Sequence, residues 1–235
     1  MGVQNIFLQG PVLDQPGHAF AEEFAKRVKG TSLNLLQLGS ATLTTEQASR
    51  FLQLPEMSDL KVVSLGSDEI DDGIVESLGR LKNVTHLSLR CRKMTTKGLS
   101  QLRDLTSLEI HGPANVTAEG FEELGQAPRL TYITIGRCPF TERHVEAISK
   151  LNLDNFQAYD AGINDAMLKR LADIKTLQTL ALVKNPITDA GLPELKKLKS
   201  LTTLHLMETN ITAAGVADLQ KALPDCKIEW DAPKE

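Results

Sequence analysis

Among the residues able to do chemistry, His86, Glu109 and His111 come first, because their types suit a zinc site or an acid–base pair. Their spacing does not support either chemistry. The chain contains no HExxH string and no paired-cysteine spacing, and on strands His86 and His111 fall in different side-chain columns. Cys91 stands between Arg90 and Arg92, where two guanidinium groups would lower the pKa of an exposed thiol, yet no base or nucleophile elbow accompanies it. Cys138 occupies an inward position and reads as an ordinary buried thiol, and Cys226 belongs to the C-terminal cap. Three cysteines always leave one unpaired, which points to a reducing compartment and thus to the cytoplasm. The expectation is a protein that is not an enzyme, with no catalytic residue, no metal ligand and no cofactor.

The elements that would position these residues follow from an internal repeat. The segment Leu177–Leu192 reads LQTLALVKNPITDAGL, and Leu201–Val216 reads LTTLHLMETNITAAGV. Leu182 and Leu206 are equivalent, and walking backwards their counterparts are Ala158, Ile135, Ile110, Leu89, Leu65 and Leu38. Eight units result, spaced ~24 residues apart, with small insertions and deletions. Each opens with L-x-x-L-x-L, whose final alternation has the period of a short strand. An aliphatic or similar residue follows five positions later (Leu43, Ile70, Met94, Phe140, Ile163, Ile187, Ile211), or six in the case of Val116. Leucines then recur every three residues, as in Leu192, Leu195 and Leu198, which predicts a short helix or 3₁₀ segment.

A second column supports this register. The residue after that aliphatic is Thr44, Asp71, Thr95, Thr117, Thr141, Asn164, Thr188 or Thr212, and all eight are N-cap types whose side-chain oxygen can accept from the first helical amides, worth ~1 kcal/mol each. The glycine three positions on (Gly98, Gly120, Gly191, Gly215) is read as letting neighbouring helices approach closely.

L-x-x-L-x-L followed by I/V-T-D-A-G-L, as in Ile187–Leu192, resembles the leucine-rich repeat family, and in particular short bacterial arrays related to the ribonuclease-inhibitor-like subclass. The resemblance covers about residues 33–228. It implies an α/β, right-handed, curved solenoid with parallel strands on the concave face and short helices on the convex one. It also implies a polar Asn or Cys three positions after the last strand leucine, tying successive turns together. Asn185 and Cys138 fit, and Thr209 is a plausible substitute, whereas Ala41, Ala161, Asp68 and Arg92 break that ladder.

The resulting organisation is one domain over 1–235, with an N-terminal cap at 1–32, about eight repeats at 33–222 and a C-terminal cap and tail at 223–235. The cap places a strand at Ile6-Phe7-Leu8 and a helix carrying Phe20, Phe24 and Val28 on one face, with Pro11 and Pro16 in the loop between. Trp230 is read as a lid on the core, and the last residues as frayed. About nine parallel strands are expected, eight plus the one in the N-terminal cap.

Composition excludes several function classes. The chain carries 26 basic and 30 acidic residues, a net charge of −4, and lacks the basic face that nucleic acid requires. No apolar run approaches the ~20 residues of a membrane span, and the first ten residues do not read as a secretory signal. Leucine supplies 36 residues while aromatics make up only 4%, so an aliphatic interior is expected.

Strand alternation sends the leucines inward and their neighbours onto the concave face. The middle of that face differs from its ends. His86, Arg90, Glu109, His111, Tyr132, Gln157 and Tyr159 fall there, with Arg137 just beyond, and aromatic and arginine side chains are those favoured at binding hot spots. These eight are the candidate partner-binding residues; the side chains of Arg90, His111, Tyr132 and Tyr159 are expected to point to solvent, so that their truncation changes stability by no more than about 0.5 kcal/mol. The acidic loop 66–72 and the basic loop 90–93 one repeat later are read as a solvated edge or a steering rim. The function expected is a monomeric, non-enzymatic scaffold that binds a protein or peptide; the alternative is a recognition or regulatory module of a larger signalling protein or enzyme.

Overall fold

Each ~24-residue unit folds as a strand, a turn and a short helix. The computed structural model describes residues 3–9, 24–26, 28–112 and 115–232. The chain divides into two compact units, 1–129 and 130–235. The first holds strands β1 (Val3–Gln9), β2 (Ser32–Gly39), β3 (Val62–Ser67), β4 (His86–Cys91) and β5 (Ser107–His111). The second holds β6 (Tyr132–Gly136), β7 (Asn155–Tyr159), β8 (Thr179–Ala181), β9 (Thr203–His205) and β10 (Lys227–Glu229). Within each unit the strands pair in parallel and in chain order. Among the described residues ten strands form rather than nine, because the terminal half repeat contributes β10 alongside β9.

The register bears out the columns read from the sequence. Leu38, Leu65, Leu89 and Ile110 stand opposite one another in successive pairs, as do Phe156, Leu180, Leu204 and Ile228. Apart from Ile228, these side chains are at most 1% exposed. A leucine ladder therefore forms one wall of the interior, and the helices bury Phe51, Leu78, Phe121, Ile148 and Leu168 against it.

The predicted cap column holds at most positions. Thr44, Thr117, Asn164, Thr188 and Thr212 each accept from a backbone amide at a helical start, and at Thr141 the ring of His144 accepts from the backbone N–H instead. Two positions differ. Asp71 bonds the amide of Gly73, and its helix starts later, at Ile74. Thr95 precedes no α-helix: its unit closes with the 3₁₀ turn Leu99–Gln101, and Thr96 and Gly98 adopt φ 70° and 78°. Gly98 therefore meets a left-handed backbone requirement rather than a close helix approach. At Gly120 and Gly215 the close-approach reading holds, since a Cβ there would overlap Thr96 and Asp189 of the preceding repeat.

The ladder needs a larger correction. Asp68 and Arg92 do not break it, because the inward residue in these units comes one position earlier: Ser40, Ser67 and Cys91 are buried at 9%, 3% and 1% exposure. The Ser67 hydroxyl donates to the Leu43 carbonyl of the preceding turn (2.6 Å), while Asp68 and Arg92 point outward.

At the N-terminal end β1 forms as expected, and Phe24 packs edge-on against Phe51 at 5.4 Å between ring centroids. Pro11, Pro16 and Phe20 lie outside the described residues, as do 233–235. Trp230 covers the C-terminal end, its indole N–H donating to the Ile211 carbonyl (3.0 Å). Among the described residues no helix is long and apolar enough to cross a membrane.

Candidate functional site

The eight candidate residues divide between the two compact units, four in each. In the first, alternation puts His86, Ser88 and Arg90 of β4, and Glu109 and His111 of β5, on the face turned away from the leucine ladder. The ring of His86 shares a 2.8 Å hydrogen bond with the Thr85 hydroxyl. Glu109 and His111, two residues apart on one strand, approach to 3.6 Å. The hydrogen bond from His111 holds the Glu109 carboxyl below its ordinary range, outweighing the opposing effect of burial, with smaller contributions from Ser88 and His86. Arg90 is exposed, its stem beside Gly112, and its guanidinium has no partner among the described residues.

In the second unit Tyr132, Gln157 and Tyr159 form one hydrogen-bonded cluster. The Gln157 amide N–H donates to the Tyr132 hydroxyl (3.0 Å) and to Asn155 (2.9 Å), and its carbonyl accepts from the Tyr159 hydroxyl. Burial, with the neighbouring Tyr132 adding to it, raises the Tyr159 pKa. Thr134 lies opposite Gln157 and is only 5% exposed, with a hydroxyl that has no partner among the described residues. These tyrosines are half-buried and bonded, so each truncation should cost about 1 kcal/mol rather than stay within the about 0.5 kcal/mol expected of side chains pointing to solvent. Arg137 stands outside this cluster, exposed and with φ 57°.

One pair and one trio are therefore brought together, Glu109 with His111 and Tyr132 with Gln157 and Tyr159, while His86, Arg90 and Arg137 stand apart from the other candidates. No group of three or more His, Cys, Asp or Glu residues among those described is arranged to hold a metal ion. Cys91 is buried, and despite its arginine neighbours its pKa is raised to about 11, with desolvation the largest cause. The charged edge is also altered: Arg92 pairs with Asp68 (3.0 Å) and Lys93 with Glu69 (2.7 Å). Two acidic residues of one loop are thus paired with two basic residues of the next, which weakens the steering field that their sequences suggested.

Sequence reasoning missed a second set of inter-repeat ties. The Asp165 carboxylate accepts from both the backbone N–H (2.9 Å) and the hydroxyl (2.6 Å) of Thr188, Asp189 does the same for Thr212, and Asp72 bonds both donors of Thr95. The signal was present as the Asp that follows each of these caps (Asp72, Asp165 and Asp189): it lies one position inside the cap, where its carboxylate reaches the cap of the next repeat. A cleft of about 530 Å³ on the exposed strand face of the first unit was missed as well.

The leucine-rich repeat family profile matches residues 174–195 and 197–219. Among solved structures, an internalin of Listeria monocytogenes superposes with a TM-score of 0.50 at 17% identity, covering 86% of this chain and 68% of that one. A leucine-rich repeat protein of Leptospira interrogans aligns at 17% identity with a TM-score of 0.44, covering 84% and 60% of the two chains. No curated protein matches the chain. The two matched units share their strand and turn with the other units of the chain, which accordingly has a leucine-rich repeat fold.

Proposed function

We propose that the chain is a non-enzymatic binding module that takes a protein or peptide partner on the exposed strand face, the one its repeat pattern reads as concave. The observation that carries this is the Tyr132–Gln157–Tyr159 cluster: two aromatic rings on an open sheet face, held in place by hydrogen bonds before any partner arrives. Pre-ordered aromatic side chains lose little conformational entropy on binding, which favours them at interfaces. The exposed Arg90 adds a cation of the kind enriched at hot spots. The leucine-rich repeat fold supports a protein-interaction module in general; the choice of face and of residues is our reading.

The test is a calorimetric titration against a partner captured from the source cell. Arg90→Ala, His111→Ala, Tyr132→Ala and Tyr159→Ala should each weaken binding, with ~2 kcal/mol or more lost where a residue is a hot spot. Full affinity in all four would move the site to the turns or to the helical face. Leu180→Ala serves as the structural control: it should cost ~2–5 kcal/mol of stability through a core cavity, because Leu180 is fully buried.

A further inference from the structure

Where β4 and β5 present Arg90 and His111 at the strand ends, β2 and β3 present Gly39 and Gly66. Two side chains are thereby missing from one column of the exposed face, and the cleft of about 530 Å³ fills that gap. Its volume lies within the ~300–1,000 Å³ of ordinary ligand sites. Gly39 and Gly66 are register partners and leave the backbone of the floor bare: a Cβ at Gly66 would meet Gly39 Cα at 3.8 Å and Arg90 Cβ at 4.0 Å. Gln37, Ser64 and Ser88 line one side, Arg90 another, and Asp68 lies at the rim.

The charges around this cleft are unevenly committed. Asp68 is held by Arg92, and Glu109, diagonal to Arg90 across the β4–β5 pair, is turned to His111 and Ser88. Arg90 is left as the one guanidinium of the lining with no counter-ion among the described residues. The amide of Gln37 and the hydroxyl of Ser64 are likewise without partners there and can donate.

We propose that this cleft accepts an acidic side chain, Asp or Glu, from an extended segment of a protein partner, with the carboxylate paired to the Arg90 fork and its stem lying over Gly39 and Gly66. A fork of guanidinium N–H groups matches a planar carboxylate in bidentate geometry. A phosphate fits less well, since a charge of about −2 would meet a single free cation and the Asp68 carboxylate. A sugar face would call for an aromatic platform, and no aromatic residue lines the cleft. A side chain rather than a chain terminus is favoured because the vacant volume is where two side chains of the column would otherwise stand.

This inference rests on the exposed-face reading of function, and its test needs no identified partner. The uniformly ¹⁵N-labelled full chain is titrated with acetyl-Gly-Glu-Gly-amide, its Gln analogue, and acetyl-Gly-Gly-Gly with a free C-terminus, following the amides of Gly39 and Gly66 and the Arg90 Nε. The Glu peptide should shift these signals saturably, and the Gln peptide should bind at least about tenfold more weakly, the weight of one charge-assisted pair. Arg90→Gln should remove the response. Gly66→Leu should also remove it while leaving the rest of the spectrum native, since a Cβ there meets only ordinary contacts. Equal binding by the Gln peptide, binding by the free C-terminus alone, or no saturable shift up to roughly 10 mM would overturn the proposal. If the alanine variants lose their partner while the Glu peptide fails, the cleft is lost and the binding face stands; if the Glu peptide binds and Arg90→Ala loses the partner while Tyr132→Ala and Tyr159→Ala keep it, the tyrosine cluster is lost and the cleft stands.

Discussion

Both compact units must turn the chain from strand to helix over a buried interior, and they do so differently except after β5 of the first unit, where Gly112 is left-handed (φ 86°) as in the second. In the second unit the residue two positions after the last strand apolar is left-handed every time: Arg137, Asp160, Lys184 and Glu208 have φ of 57°, 51°, 56° and 53°. This sharp turn points the next residue inward, so Cys138, Ala161, Asn185 and Thr209 are buried. In the first unit β3 and β4 stay extended for one more residue, and simple alternation sends Ser67 and Cys91 inward instead. One route places a residue with a side chain in a conformation that costs an L-residue ~1–2 kcal/mol; the other avoids that cost. Asn185 shows what the left-handed route can gain. Its carbonyl accepts from the amides of Ala161 and Ile163, and its amide donates to the carbonyls of Ala158 and Val183.

The largest effect should separate the two routes directly. Asn185→Ala leaves two buried amides and two carbonyls short of a partner, so it should cost roughly 3–5 kcal/mol in urea unfolding. Ser67→Ala removes the short bond to the Leu43 carbonyl and the bond accepted from the Glu69 amide and should cost about 1–2 kcal/mol. Equal losses would mean that both inward positions do the same structural work and that the contrast between the units has no energetic content.

The sequence disclosed the period because leucines on a fixed spacing are a one-dimensional signal, and the register of Leu38, Leu65 and Leu89 follows from it. It did not disclose which residue turns inward after the strand. That choice depends on the sign of one φ angle, and Arg137, Lys184 and Glu208 share nothing in composition that marks a left-handed residue. The site was legible in the same uneven way. The face of Tyr132, Gln157 and Tyr159 follows from alternation, whereas their bonding to one another depends on rotamers. The cleft at Gly39 and Gly66 was visible as two glycines in one column, but its meaning depended on Arg90 being unpaired beside it.

A second contrast concerns the inward sulfur atoms, Cys91 by the extended route and Cys138 by the left-handed one. Neither should react with a thiol reagent in the native state, at 1% and 0% exposure, and fast native labelling of Cys138 would mean a wrong register there. For Cys91 the pH dependence has a definite sign. Its folded pKa is about 11 against an ordinary 9.0, so the neutral thiol's contribution to stability is complete below pH 9.0 and is lost as pH rises towards 11. Unfolding free energies measured across this window should fall less steeply in Cys91→Ala than in the parent. Identical slopes would show that the thiol is more hydrated than its burial implies.

Glycine substitution sharpens the comparison at a smaller scale. Glu208→Gly relieves the left-handed penalty, partly offset by the greater freedom of unfolded glycine, and should stabilise by up to about 1 kcal/mol. Asp68→Gly, at the outward turn position of the first unit, has no such strain to relieve and breaks the pair with Arg92; it should destabilise by about 0.5–1 kcal/mol. Melting temperatures moving in the same direction for both variants would erase the distinction drawn from the φ angles.

The smallest effect tests whether electrostatics on the exposed face matter to folding at all. Glu109 is held below its ordinary pKa chiefly by the hydrogen bond from His111. A depressed carboxylate contributes stability that is present above its ordinary value of 4.5 and is lost as pH falls through the lower, folded value. His111→Ala should return the Glu109 titration, followed by the side-chain carboxyl ¹³C signal, towards the ordinary range. Because the pair is substantially exposed, solvent screening should hold the accompanying loss of stability to a few tenths of a kcal/mol. An unchanged Glu109 titration would assign the shift to Ser88 and His86 instead. A loss above about 1 kcal/mol would mean that His111 supports the fold rather than remaining available on the face, which would remove it from the binding residues and leave Arg90 as the first unit's main contribution.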